Sequence, residues 1–141
     1  MDIVEIRQLK KYFKDGPEEV KALDGIDLSI EKGKFTAIVG ASGSGKTTLL
    51  NTIAGLYEPT EGTVVVDGLD LSKMTEEQLT VFRRRKIGFV FQGYNLIPEL
   101  TIRENILFPL ALDDSRTDTR YFSSLVKMLG LENYLDAFPH M

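Results

Sequence analysis

Eight consecutive residues, Gly40-Ala41-Ser42-Gly43-Ser44-Gly45-Lys46-Thr47, follow the pattern G-x-x-x-x-G-K-[ST]. Residues of these types at this spacing bind phosphate. The glycines let backbone amides converge on one point and admit phosphate oxygens where a Cβ would stand in the way. A helix starting near Lys46 adds the amides of Thr47 and Thr48 and its positive dipole end to the same anion. Lys46 supplies a mobile point charge for the outer phosphates. The Thr47 hydroxyl is a hard oxygen suited to Mg²⁺, and the ring of main-chain donors spans residues 40 to 48, with Ser42 and Ser44 inside it. A chain of this length would match the pattern by chance about 0.5% of the time at average residue frequencies.

Such a loop works only between a strand that holds it and a helix that opens behind it. Phe35 to Val39 is a near-continuous β-favouring run, as expected of a strand covered on both faces. After the loop, Leu49, Leu50, Ile53 and Ala54 fall on one helical stripe, and Gly55 is placed to stop that helix. Upstream, Ile3 to Leu9 reads as a short strand with mixed faces. Lys14-Asp15-Gly16-Pro17 is turn chemistry, and Ile26, Leu28 and Ile30 alternate with polar residues as in a half-buried strand.

Downstream, Thr63 to Asp67 reads as a strand ending in an Asp-Gly turn. Ile87 to Phe91 is a second buried-strand candidate, and after Gln92 the signals are helical. Thr75-Glu76-Glu77-Gln78 and Thr101-Ile102-Arg103-Glu104 both fit the capping box at a helix start. Phe122, Leu125, Val126 and Leu129 form a stripe closed by Gly130. The order is β-rich, then α/β, then helical.

The 141 residues, 43% hydrophobic and 27% charged, suit one globular domain rather than a disordered chain. With no cysteine and a single histidine, His140, disulfides, thiol nucleophiles and multi-histidine metal sites are excluded. Net charge −4 argues against nucleic acid as a partner. No apolar run approaches the ~20 residues that cross a bilayer, and the acidic Met1-Asp2-Ile3-Val4-Glu5 start lacks the order of a secretory signal. A cytosolic protein is expected, reaching a membrane only through a partner.

Four further segments carry a resemblance. Leu9-Lys10-Lys11-Tyr12, the stretch Ala22 to Gly33, Glu58-Pro59-Thr60-Glu61-Gly62 with Asp67-Gly68, and Ile87 to Gln92 with Asn95-Leu96-Ile97-Pro98 and Thr101 to Asn105 resemble the ATP-binding subunits of ABC transporters. The last wording is most similar to the branch exporting macrolides, lipoproteins and antimicrobial peptides. The resemblance implies an α/β P-loop NTPase fold of the ABC type: an N-terminal antiparallel β part, an incomplete parallel core and the start of a helical subdomain. Residues 1–92 would form the β-rich, P-loop portion and 93–141 the start of the helical one. Tyr12 would stack on adenine. Gln92 would position Mg²⁺ or the attacking water, making Thr47 and Gln92 the metal-side residues. ATP and Mg²⁺ would be the cofactors, with a membrane-spanning subunit and a second ATP-binding subunit as partners.

Three features are set aside. Asp67, followed by Gly68 and with no acidic neighbour, reads as a hairpin aspartate rather than a metal ligand. Arg83-Arg84-Arg85-Lys86 reads as a solvated helix end, and His140 has no role. The family's Leu-Ser-Gly-Gly-Gln signature, its Mg²⁺-holding Asp with catalytic Glu, and its switch histidine do not occur in these residues. The resemblance therefore implies a truncated subunit that binds ATP without appreciable hydrolysis, with two strand edges bared and a tendency to aggregate or recruit another chain. A nucleotide-dependent regulatory module is the alternative. A small-molecule kinase would need lid arginines, and none cluster from Asn95 onward.

Overall fold

A computed structural model describes residues 1–112 and 116–140. The expected 93–141 segment includes residues 113–115 and Met141, which lie outside the described residues. The chain forms two compact units, residues 1–89 and 90–141.

The first unit is built on an antiparallel sheet of strands β1 (Asp2–Asp15), β2 (Glu18–Glu31), β3 (Glu61–Val66) and β4 (Leu69–Asp70), in the order β2-β1-β3-β4. β1 is twice the expected length because the Gly16-Pro17 turn folds β2 back along all of it, pairing Asp15 with Glu18 and Asp2 with Glu31. One face of this ribbon buries Ile6, Leu9 and Leu23 with Val64 of β3.

Helix α1 (Lys46–Ile53) has only eight residues, too few to be stable on propensity. It is pinned instead by Leu49, Thr52 and Ala54, all buried. Leu50, expected on that stripe, is 48% exposed, because the helix turns its Leu49–Thr52 side to the sheet. A single 3-10 turn (Leu71–Lys73) leads to α2 (Glu76–Lys86), whose Leu79 and Phe82 complete the same core. Thr75 caps α2 through the predicted box: its hydroxyl accepts from Gln78 N–H and the Gln78 side chain accepts from Thr75 N–H.

Two expected strands are absent among the described residues. Phe35–Val39 and Ile87–Phe91 run without ladder partners, and Phe35, Val39 and Val90 are 96%, 86% and 97% exposed. A buried strand needs a hydrogen-bonded ladder and covered faces, and no described segment forms a ladder with either run. From these two runs, Ile38 and Ile87 pack against the first unit's core.

The second unit holds α3 (Ile102–Ala111) and α4 (Thr119–Met128). Helix does not begin at Gln92: residues 93–101 form turns, tied down by Asn105, whose side-chain amide donates to the carbonyls of Ile97, Leu100 and Thr101 at 2.9–3.0 Å. Thr101 and Glu104 form the second predicted capping box, Thr101 N–H donating to Glu104 Oε2 at 2.7 Å. Gly130, with φ +67°, ends the α4 region as expected. Val126 and Leu135 are buried, so this unit's core is thin.

Candidate functional site

The loop from Gly40 to Gly45 delivers the chain into α1 through Gly45 in the left-handed region, φ +85°. A Cβ at Gly45 would stand 2.4 Å from the Ala22 carbonyl oxygen, so only glycine lets the loop lie this close to β2. The first α1 hydrogen bond runs from Leu49 N–H to Gly45 O, at 2.8 Å, which leaves the Lys46, Thr47 and Thr48 amides at the open helix end. Ser44 N–H donates to Ala41 O, rounding the turn. Lys46 curls over it, its ammonium donating to Ala41 O at 2.6 Å and to Ser44 Oγ at 3.3 Å.

A cavity of about 260 Å³ opens beside this loop, bordered by Lys21, Gly43, Ser44, Lys46, Thr47 and Thr48. Small-molecule pockets run to roughly 300–1,000 Å³, so this space suits part of a nucleotide rather than all of one. Its donors are helix-end amides, hydroxyls and an ammonium, a set that fits phosphate. Gly43, φ +77°, has nothing within 4 Å of an added Cβ, so its face is open space. Mg²⁺ fits only with phosphate oxygens completing its shell around the Thr47 hydroxyl: among the described residues no acidic or histidine cluster could hold a metal alone. Gly40 and Ser42 belong to the loop but do not border the cavity.

Tyr12 does not border it either. It sits within β1, half-buried, held by three contacts. Its N–H donates to Thr60 Oγ1 at 3.0 Å, its hydroxyl donates to Asp24, and Lys21 lies over its ring at 5.1 Å. The Asp24 carboxylate, by accepting that hydrogen bond, holds the pKa of the Tyr12 phenol above its ordinary value. The Glu58–Gly62 segment therefore braces this part of β1. Thr60 ties the strand beside Tyr12, and Glu61 pairs with Lys10 at 2.7 Å. Lys21 and Asp24 were missed from the sequence. The signal lay in the hairpin turn, which sets Tyr12 opposite Lys21 and Lys10 opposite Asp24.

Gln92 lies in an exposed turn of the second unit, followed by Tyr94 and Asn95 with positive φ. Asp67 is a hairpin residue, φ +49°, and accepts from Lys86 at 2.9 Å, which holds its carboxyl below the usual range. Of the basic run, Arg83 is structural: it donates to Gly55 O at 2.7 Å and Thr80 Oγ1 at 3.0 Å. A second cavity, about 400 Å³, lies along α2, bordered by Leu69, Met74, Val81 and Phe82 together with Glu77, Gln78, Arg85 and Lys86. No helix among the described residues is long and apolar enough to cross a membrane.

Comparison with known proteins gives the family and the fold. A profile described as ABC transporter matches residues 23–141. The chain is 36% identical to a bacitracin export ATP-binding protein, BceA, of Halalkalibacterium halodurans, covering 99% of this chain and 56% of that protein. It is 40% identical to a lipoprotein-releasing system ATP-binding protein, LolD 1, of Caulobacter vibrioides, covering 98% of this chain and 60% of that one. Among solved structures, the dimeric post-hydrolysis state of the ATP-binding cassette MJ0796, bound to ADP and Pi, superposes with TM-score 0.88 at 38% identity, over 97% of this chain and 62% of that chain. The chain thus spans less than two thirds of each of these relatives.

Proposed function

Because the chain belongs to the ABC transporter family, we propose that it is part of an exporter-type ATP-binding subunit, like the relatives named above, and that residues 40–48 bind the phosphates of Mg-ATP to power export. The observation that carries this reading is the cavity bordered by Gly43–Thr48, where an open helix end, the hydroxyl residues Ser44, Thr47 and Thr48, and Lys46 line one space. Gly40, Ser42, Gly43, Ser44 and Gly45 shape the loop. The Lys46, Thr47 and Thr48 amides hold phosphate oxygens, and Thr47 offers its hydroxyl to Mg²⁺. That ion would neutralise charge on the phosphates. Tyr12 stacks on the adenine from outside the cavity, which matches the cavity's partial size. Gln92 is given the positioning of Mg²⁺ or water by the resemblance alone.

In this reading residues 1–92 form the nucleotide-binding portion and 93–141 begin the part that meets a membrane-spanning subunit. Two ATP-binding subunits pair around the nucleotide on the cytoplasmic face, a reading supported by the dimeric state of the MJ0796 cassette. The 141 residues place no Glu at a motif position to deprotonate water, so binding without appreciable turnover is the expected behaviour.

Titration calorimetry with Mg-ATP tests this. Binding should vanish in Lys46→Ala and weaken about tenfold in Tyr12→Ala, the scale of one base–aromatic stack. Phosphate release should stay near background. Equal affinity in the Lys46→Ala variant overturns the site, and brisk turnover by these residues overturns the no-hydrolysis reading.

A further inference from the structure

The sheet register sets Tyr12 directly across from Lys21. The Lys21 ammonium stands 5.1 Å from the Tyr12 ring centroid, at an exposed site. Lys21 also borders the phosphate-loop cavity, together with Ser44, Lys46 and Thr47. Lys21 thus both borders that cavity and stands over the Tyr12 ring. One side chain therefore bridges two places that the proposed nucleotide would occupy.

These two places make different demands on a cation. A base stacked on the Tyr12 ring lies closer to it than 5.1 Å, so base and ammonium cannot share that face. An exposed cation–π contact is weak, whereas a phosphate chain offers full negative charge. Asp24 holds the Tyr12 hydroxyl, so the ring stays in place while the flexible lysine stem moves.

We infer that Lys21 is a second nucleotide-positioning cation: it covers the Tyr12 ring, yields that face to the arriving base, and moves onto the phosphates. The inference rests on the nucleotide site proposed above and adds a residue from β2 to it. Lys46 grips the phosphates from the helix side. Lys21 reaches them from the sheet side and couples base stacking to phosphate capture.

The test compares Lys21→Ala, Lys21→Glu and Lys21→Arg with the unchanged chain against three ligands: Mg-ATP, inorganic triphosphate with Mg²⁺, and adenosine. Lys21→Ala should weaken Mg-ATP and triphosphate about fivefold, the upper range for an exposed ion pair. Lys21→Glu should weaken them more, and Lys21→Arg should restore most of the loss. Adenosine should bind as well or better without Lys21, since its competitor for the ring is gone. Circular dichroism and melting of each variant check that the sheet is intact. Unchanged Mg-ATP and triphosphate affinity in Lys21→Ala overturns the inference alone, as does an adenosine loss equal to that for Mg-ATP. If the unchanged chain binds none of the three ligands, the underlying nucleotide site fails and this inference with it.

Discussion

Lys46 donates to the carbonyl oxygen of Ala41, five residues before it, at 2.6 Å. The phosphate-loop lysine is thus satisfied by its own loop, with Ser44 Oγ as a second acceptor at 3.3 Å. Capturing an anion means exchanging these neutral acceptors for charged ones, a gain because charge-assisted hydrogen bonds are roughly twice as strong. Binding should accordingly weaken as salt rises. Lys46→Ala should abolish Mg-ATP binding while leaving the melting temperature within a few degrees, as followed by calorimetry and circular dichroism. A large loss of stability would instead make Lys46 a structural clasp.

Two neighbouring glycines should separate loop stability from ligand access. At Gly45, φ +85° and an approach of 2.4 Å to Ala22 O mean that Gly45→Ala strains the backbone and collides with β2. A loss of about 2 kcal/mol or more in urea denaturation is expected. Gly43→Ala carries only the left-handed penalty, about 1 kcal/mol, because open space surrounds its Cβ. That same Cβ projects into room that phosphate would use, so its effect on Mg-ATP affinity should exceed its effect on stability. Equal destabilisation by the two variants would contradict this placement.

Phe35, Val39 and Val90 present apolar side chains on backbone that no described strand pairs with. Exposed unpaired β-prone segments template association. Sedimentation velocity on these 141 residues should show self-association that grows with concentration. Phe35→Ser with Val39→Ser should reduce it without lowering the melting temperature. A monodisperse monomer with a cooperative melt would show that these runs are not association sites.

Acid should loosen the second unit through Glu104. The Thr101 N–H and hydroxyl both donate to its carboxylate, holding its pKa below the usual value. A depressed folded-state pKa stabilises above the unfolded value, and that contribution is lost as pH falls through the folded value. Asp67 and Asp70 follow the same sign through Lys86 and Lys73. Urea midpoints should therefore fall between neutral pH and about pH 3. Glu104→Gln, which keeps the capping geometry without the charge, should flatten this slope. An identical slope in the variant would remove Glu104 from the acid response.

Much of the site was legible because its signals are local. The phosphate-loop residues carry their own backbone demands, and both capping boxes close within four residues, so Thr75–Gln78 and Thr101–Glu104 form as read. The Asp67 hairpin was legible for the same reason. Leu50 misled because helical spacing defines a stripe without saying how far around the helix the covering sheet extends.

By itself the sequence determined that a phosphate-type loop sits between a β-prone run and a short helix, in the setting of an ATP-binding subunit. Tertiary structure alone decided that Phe35–Val39 and Ile87–Phe91 do not form strands among the described residues, since a strand exists only where a ladder completes its hydrogen bonds. It alone also decided that Lys21 stands over Tyr12 at the cavity edge. That meeting depends on the register of a 14-residue ribbon, in which a slip of one residue would turn every side chain to the other face.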